Sequence, residues 1–225
     1  MAEKNDLLSY LAKSAVEKNP IPSIQVLSQQ LGISAASVRE QLEVARRLGV
    51  VEVKPKVGIQ PREFSLSEPL ATALSYGLAV DSTLFDQFAD LRKHLESSYW
   101  FESVTNLTHA DIDQLQRLVD QAVERIQNQP MQMPEKEHRE FHLTIFKRLE
   151  NQAVISLLEA YWDVYHKAGV TLLMDRDYLL TVWHYHQMMV DALRDREFEK
   201  GFQALLIHMD LVKQVRKAEL KQRFE

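Results

Sequence analysis

Cysteine is absent from this chain, which excludes disulfide bonds and metal sites built from thiolates. Long apolar runs are also missing, since no stretch approaches the roughly 20 residues that span a bilayer. The first residues lack the pattern of a signal peptide. We therefore expect a cytoplasmic protein with no membrane partner. Glycine is scarce after Leu70, which favours long helices in the rest of the chain.

The stretch from Ser23 to Val51 predicts two short helices joined by a tight turn. Ser23 is the expected N-cap of the first helix, which Gly32 ends in a left-handed conformation. Ser34 is the expected N-cap of the second helix, which ends at Gly49. Small and polar residues at the start of the second helix allow a close approach to an outside partner. This arrangement is typical of a helix-turn-helix that reads DNA.

Residues 50–62 predict two short strands around a Pro/Gly turn, which together form a wing. Lys54 and Lys56 lie at its tip, where they suit a neighbouring phosphate backbone. A helix over residues 5–18 is expected to support the pair of helices. We therefore predict binding to double-stranded DNA, and we place the DNA-binding domain at 1–67 and a second domain at 70–225.

The charge of the chain is unevenly divided between these domains. Residues 1–65 hold nine Lys and Arg against seven Asp and Glu, whereas the remainder holds 18 against 25. The acidic excess thus lies outside the expected DNA-binding part. Because a net charge of +2 is weak, we expect a homodimer that places two winged helices on a palindromic operator.

The second domain is predicted to be an all-α antiparallel bundle, so that the protein is mainly α with an N-terminal winged helix-turn-helix. Amphipathic periodicity with short connections favours this architecture. The expected helices span 72–103 with an interruption near Asp81, 109–127, 134–149, 152–168, 176–194 and 197–222.

Four of the eight histidines have informative spacing. His138 and His142 lie one turn apart on one helix, and therefore on one face. His186 and His208 are equally distant from the turn near Glu197, so they can face each other on the two arms of a helical hairpin. Converging imidazoles could bind a divalent ion such as zinc, nickel or manganese. Each histidine alone is more often an ordinary core or surface residue.

The N-terminal pattern resembles the winged helix of the GntR regulators. The resemblance rests on Ser34-x-x-x-Val38-Arg39-Glu40-x-Leu42, then Gly49-Val50-Val51 and Pro55-x-x-Gly58. It implies DNA contacts at Ser34, Ser37, Arg39 and Gly58. Two positions depart from the family pattern, because Ala35 and Glu43 stand where the family usually or often has basic residues.

The C-terminal pattern resembles the FCD effector domain of the FadR branch of that family. The resemblance rests on Glu137-His138-Arg139-Glu140-Phe141-His142, followed by His186 and His208. It implies a metal bound by three histidines and an aspartate, with a small carboxylate effector against the metal. His138 replaces the aspartate here. The site is therefore either a four-histidine metal site with an altered metal preference or a degraded site that binds effector without metal.

Arg92 matches the family's Arg-x-x-Leu-Glu stretch and is our candidate for pairing with the effector carboxylate. The alternative is an interhelical salt bridge with a buried glutamate. Several aromatic side chains could line a ligand pocket, although aromatic residues at helical spacing are more often ordinary core: Trp100, Trp162, Trp183, Tyr161, Tyr165 and Tyr185.

These patterns support one leading hypothesis and two alternatives. The leading hypothesis is a ligand-responsive transcriptional repressor that is not an enzyme and senses a small organic acid through its helical domain. The first alternative is a metalloenzyme that uses the four histidines. The second is a DNA-architectural protein without an effector.

Overall fold

The computed structural model describes residues 6–165 and 175–224, with the surroundings of the side chains to residue 211. The mainly α architecture predicted from the sequence is confirmed. Two compact units divide the chain, Met1–Thr72 and Ala73–Glu225, and the division falls inside the helix Ser67–Val80. No helix in the described ranges combines the length and apolar character that crossing a bilayer needs.

The first unit contains the predicted helix-turn-helix and wing. Its elements are α1 (Leu7–Glu17), α2 (Ile24–Leu31), α3 (Ala35–Arg47), β1 (Val51–Lys54) and β2 (Gly58–Pro61). The two strands pair antiparallel, with Val51 opposite Pro61 and Lys54 opposite Gly58. The apolar stripes of the three helices meet in one core, in which four side chains are fully buried: Leu7, Leu27, Val38 and Ala45.

Local capping explains where these helices begin and end. The Ser23 hydroxyl accepts a hydrogen bond from the Val26 amide, and the Ser34 hydroxyl accepts one from the Ser37 amide at 3.1 Å. Gly32 has a φ of 67°, which ends α2 and starts the tight turn. The predicted first helix included residue 5, which lies outside the described residues.

The second unit is a helical bundle. Its helices follow α4 (Ser67–Val80) and are α5 (Leu84–Thr105), α6 (His109–Gln127), α7 (Glu135–Phe146), α8 (Gln152–Tyr165), α9 (Arg176–Arg194) and α10 (Phe198–Phe224). Helix α9 packs against α6 and α10, and α5 packs against α7, α8 and α10. Residues 166–168 of the expected fourth helix lie outside the described ranges.

Helix α4 begins earlier than predicted, at Ser67 and not at residue 72. Pro69 suggested a connection, but it lies in the first turn of α4. The first four amides of a helix have no partner within the helix, so a proline there costs no hydrogen bond. The predicted interruption near Asp81 is present, because α4 ends at Val80 and α5 starts at Leu84.

Gly201 allows α10 to lie close against α5. A Cβ atom at this position would lie 2.8 Å from Cζ2 of Trp100, which is fully buried. The Trp100 indole also donates a hydrogen bond to the Phe198 carbonyl at 3.0 Å. This contact positions the start of α10 and therefore the height of His208, which lies two turns after Gly201.

Gly201→Ala is expected to lower the free energy of unfolding by about 1–3 kcal/mol, because the added methyl overpacks the Trp100 contact. In an open helix interior the same change would stabilise the protein by roughly 0.5–1 kcal/mol. Urea unfolding checks the sign, with Lys200→Ala at the exposed neighbouring position as the control. An unchanged or raised stability in Gly201→Ala would contradict the close packing.

Asp111 connects the start of α6 to the segment after α7. It forms a capping box with Thr108, whose amide donates to the Asp111 carboxylate at 2.9 Å. The same carboxylate pairs with Arg148 and Lys147, and these partners hold the pKa of Asp111 well below its usual value.

Asp111→Asn is expected to lower the free energy of unfolding at pH 7 by about 1–2 kcal/mol through the weakened cap and lost ion pairs. A lowered pKa in the folded state means that this contribution is present above the unfolded value of about 4 and is lost as the pH falls. The stability difference between wild type and Asp111→Asn should therefore stay nearly constant from pH 7 to about pH 5 and shrink as the pH falls below about 4 in urea titrations. A difference that stays constant down to about pH 2 would show that the charge of Asp111 plays no part.

Candidate metal centre and nucleic-acid interface

Four histidines from three helices meet inside the bundle. His138 and His142 come from α7, His186 from α9 and His208 from α10, and all four side chains are buried. Each offers one nitrogen, and these nitrogens lie within 4.8 Å of one another. The structure thus brings together all four residues that the sequence analysis singled out. Their role as metal ligands stays a prediction.

Two of the distances between the ring nitrogens fit a shared ion. Nε2 of His142 lies 3.1 Å from Nε2 of His208 and 3.2 Å from Nε2 of His186. Nitrogens bonded to one ion at about 2.0–2.1 Å lie roughly 3.0–3.4 Å apart. Within the described part of the chain, Nδ1 of His186 and of His208 has no hydrogen-bond partner. The Nδ1 atoms of these two rings are therefore not committed to another described protein group.

The environment keeps these rings neutral, which is the form that binds metals. Burial lowers the pKa of His142, His186 and His208 well below the usual value. The positive charge of Arg92 lowers the pKa of all three further. A neutral imidazole carries a lone pair for a cation, so no proton has to be removed when the ion binds.

Glu96 orients His142. The Nδ1–H of His142 donates to Oε2 of Glu96 at 3.0 Å, and both side chains are fully buried. A carboxylate in this position fixes the proton on Nδ1 and leaves the Nε2 lone pair for a cation. No sequence pattern assigned this role to Glu96. Its position four residues after Arg92 indicated only that both lie on one helix face, and not the contact with His142.

Arg92 lies beside the histidines and is held by α5 itself. Its Nε donates to Oε1 of Glu96 at 2.6 Å, so the salt bridge joins two residues of one helix. The predicted alternative was correct about a buried glutamate and wrong about an interhelical pair. The guanidinium also lies over the rings of Trp162 and Tyr161, with centroids at 4.4 and 5.0 Å from Cζ.

Arg92 contacts His142 through the face of its ring. Nη2 of Arg92 is 3.0 Å from Nδ1 and 3.1 Å from Nε2 of that ring. An atom equally close to both nitrogens lies above the ring, because Cε1 fills the in-plane position between them. The in-plane lone pair of Nε2 therefore stays available to a cation, and a positive charge lies at the wall of the cluster.

Aromatic side chains enclose the cluster. Trp162 stacks on His142 with centroids 4.9 Å apart, and Trp183 contacts His186 at 4.5 Å. The sequence left open whether the aromatic residues line a pocket or form ordinary core. Trp162 and Trp183 belong to the buried core and touch the histidine rings. Trp100 packs instead against Gly201.

The residues predicted to contact DNA lie on α3 and the wing. Arg39 is exposed on the first turns of α3. The hydroxyl of Ser34 is used in the helix cap, and the hydroxyl of Ser37 accepts a hydrogen bond from Gln41 at 3.4 Å. Both serines remain at least partly accessible at the N-terminus of α3. Their contacts with DNA, like that of Arg39, stay a prediction.

The wing tip is built from residues with unusual backbone conformations. Lys56 and Gly58 have φ angles of 65° and 94°, which close the turn between β1 and β2. Lys56 is exposed, whereas Lys54 is exposed but forms an ion pair with Glu52 at 2.7 Å. Both lysines are therefore at the surface. To contact a DNA phosphate, Lys54 would have to leave its ion pair with Glu52.

Comparison with known proteins decides the family. The FCD domain family matches residues 87–211, which is more than half of the chain. This chain is a GntR-family transcriptional regulator with a C-terminal FCD domain. The regulator is 24% identical over 205 residues to the HTH-type transcriptional regulator LutR of Bacillus subtilis, with 87% of this chain and 90% of LutR covered.

Other comparisons of the regulator agree. It is 23% identical over 199 residues to the Uxu operon regulator of Haemophilus influenzae, with 86% and 72% of the two chains covered. The fold is shared with Streptococcus agalactiae GntR, at a TM-score of 0.68 and 19% identity over 92% and 96% of the chains. It is also shared with E. coli McbR/YncC, at a TM-score of 0.54 and 21% identity, with 90% of this chain and 87% of that chain covered.

These matches bear on the alternatives left by the sequence. The relatives are DNA-binding transcriptional regulators and not enzymes, so the metalloenzyme alternative is not supported. The buried four-histidine cluster lies on helices within or reaching into the matched FCD region and fits a metal site.

Proposed function

We propose that this protein is an intracellular, homodimeric repressor that releases a palindromic operator when a small carboxylate binds its FCD domain. The convergence of four buried imidazoles beside the Arg92 guanidinium carries the proposal. His138, His142, His186 and His208 would hold a divalent ion of the zinc, nickel or manganese class. Such an ion supplies a positive centre to which a carboxylate oxygen binds.

Arg92 provides the second positive group of the proposed effector site. It is 5% exposed, and its charge is matched by Glu96. A guanidinium in this position can donate paired hydrogen bonds to a carboxylate. Binding of the effector would then redistribute the contacts of Arg92 with Glu96 and His142, which belong to α5 and α7. A change at these helices offers a route by which binding alters the bundle.

The dimer is supported by the weak charge of the DNA-binding part. A net charge of +2 over residues 1–65 gives little affinity for a polyanion, whereas two copies bound to adjacent half-sites double the contacts. Sedimentation should therefore give twice the chain mass of 26.1 kDa. A monomer at the concentration that saturates operator DNA would contradict the proposed assembly.

The response to carboxylates tests the proposal. A duplex selected from genomic fragments by the protein is titrated with zinc-loaded regulator, with and without a panel of short mono- and dicarboxylates. At least one carboxylate is expected to weaken DNA binding by about tenfold or more. Arg92→Gln, which keeps hydrogen-bonding groups but no charge, should bind the duplex and fail to respond. Intact DNA binding that no carboxylate alters, or a full response in Arg92→Gln, would overturn the proposal.

A further inference from the structure

The buried charges of the bundle are few and can be assigned to partners. Among residues whose burial the structure describes, the buried charged side chains other than histidine are Arg92, Glu96, Asp111 and Glu137. Asp111 pairs with Lys147 and Arg148, and Glu137 pairs with Arg125 at 2.8 Å. Of the four, Arg92 and Glu96 contact the histidine cluster.

The charge of Arg92 and the charge of Glu96 cancel. Oε1 of Glu96 accepts from Nε of Arg92, and Oε2 accepts from His142. Glu96 thus orients the candidate ligand His142 by accepting from the Nδ1–H of that ring. Glu96 itself is not among the four candidate ligands. The four imidazoles are neutral donors when they bind an ion. A divalent ion among them would keep its full charge of +2 in a buried site.

An uncompensated charge in a protein interior is unfavourable, because burial removes its hydration without supplying an opposite charge. An anion bound to the same ion would lower the net charge to +1 or to zero. The Arg92 guanidinium lies above the face of His142, whereas Glu96 lies at Nδ1 of that ring, so the local field would favour an anion on the side of Arg92. Aromatic rings around the histidines would further weaken the screening of these charges by water.

We propose that the ion and a small anion bind to this cluster as a cooperative pair, because an all-imidazole ligand set leaves the ion's charge uncompensated. The inference rests on the metal site of the proposed function and goes beyond it, since it makes the affinity for the ion depend on the anion. Linkage requires that each ligand raises the affinity of the other by the same factor. The regulator would then respond to the two ligands together.

Zinc affinity measured with and without acetate tests the pairing. Metal-free, full-length protein competes for zinc with a chromophoric chelator in perchlorate, a weakly coordinating background salt, and acetate is then added. Zinc should bind about 10- to 100-fold more tightly with saturating acetate. Acetate, measured separately, should bind more tightly to zinc-loaded than to metal-free protein by the same factor.

Two variants of His138 separate charge from ligand number. His138→Asp offers a carboxylate in place of a neutral ring, so it should bind zinc with little dependence on acetate. His138→Ala removes a ligand without adding charge, so it should bind zinc more weakly and keep the acetate dependence. Circular dichroism establishes that both variants are folded. If either is not, the reciprocal measurements on wild type still decide the proposal.

The possible results distinguish this inference from the metal site itself. Zinc binding that is equally tight with and without acetate would overturn the cooperative pair and leave the metal site standing. A wild-type protein that binds no zinc under either condition would overturn both. An acetate dependence in folded His138→Asp as large as in wild type would show that the charge of the ligand set is not its cause.

Discussion

Replacing His186 with alanine is expected to lower the affinity of the regulator for zinc by about 100-fold or more. Changes in the residues that merely support metal ligands commonly cost about 10- to 100-fold in affinity, and His186 is itself a proposed ligand. Its Nε2 lies 3.2 Å from Nε2 of His142, at the centre of the cluster. Zinc titration against a chromophoric chelator measures the change.

His184→Ala is the matched control for this experiment. His184 lies on the same helix two residues earlier, but its side chain is exposed. The substitution His184→Ala removes the same chemical group without touching the cluster, so zinc affinity should stay at the wild-type value. Equal losses in the two variants, or no loss in His186→Ala, would contradict the ligand assignment.

Replacing Arg39 with alanine is expected to weaken binding to the selected operator by roughly 100-fold. Arg39 is exposed near the N-terminus of α3, where a recognition helix meets base edges or phosphates. One specific arginine contact is worth about 1–3 kcal/mol, and a dimer on a palindrome would lose two. Fluorescence anisotropy over a range of salt concentrations measures both the affinity and the number of phosphate contacts.

The control is Lys13→Ala, which removes one positive charge from α1 of the same unit. Lys13 is exposed and faces Glu17 across one helical turn. If general charge alone drives binding, both variants should lose affinity equally. If Arg39 contacts the duplex, the loss should be confined to Arg39→Ala. Intact operator binding by Arg39→Ala would remove α3 as the proposed reading element.

Much of this fold could be predicted because two independent local signals mark the start of several helices. Ser34 is both the expected cap and the residue before a new apolar stripe, and α3 begins directly after it. The interval between Thr108 and Asp111 likewise defines the start of α6. Pro69 carried an ambiguous signal, since proline is compatible with a loop and with the first turn of a helix.

The histidine cluster could be predicted because helix geometry converts the sequence spacing of the histidines into their relative positions. His138 and His142 share a helix face, and the turn after Arg194 places His186 and His208 at one height, with ring centroids 4.3 Å apart. The roles of Glu96 and Trp162 could not be derived in this way. They depend on how α5 and α8 pack against α7, which no spacing within one helix specifies.

Zinc K-edge X-ray absorption of the loaded, desalted regulator distinguishes a four-histidine site from other ligand sets, because it reports the atoms around the ion. We predict at least four nitrogen or oxygen neighbours at about 2.0–2.1 Å, with outer-shell scattering from three or more imidazoles. Loss of zinc on desalting, or a shell of oxygen atoms with at most one imidazole, would contradict the four-histidine site.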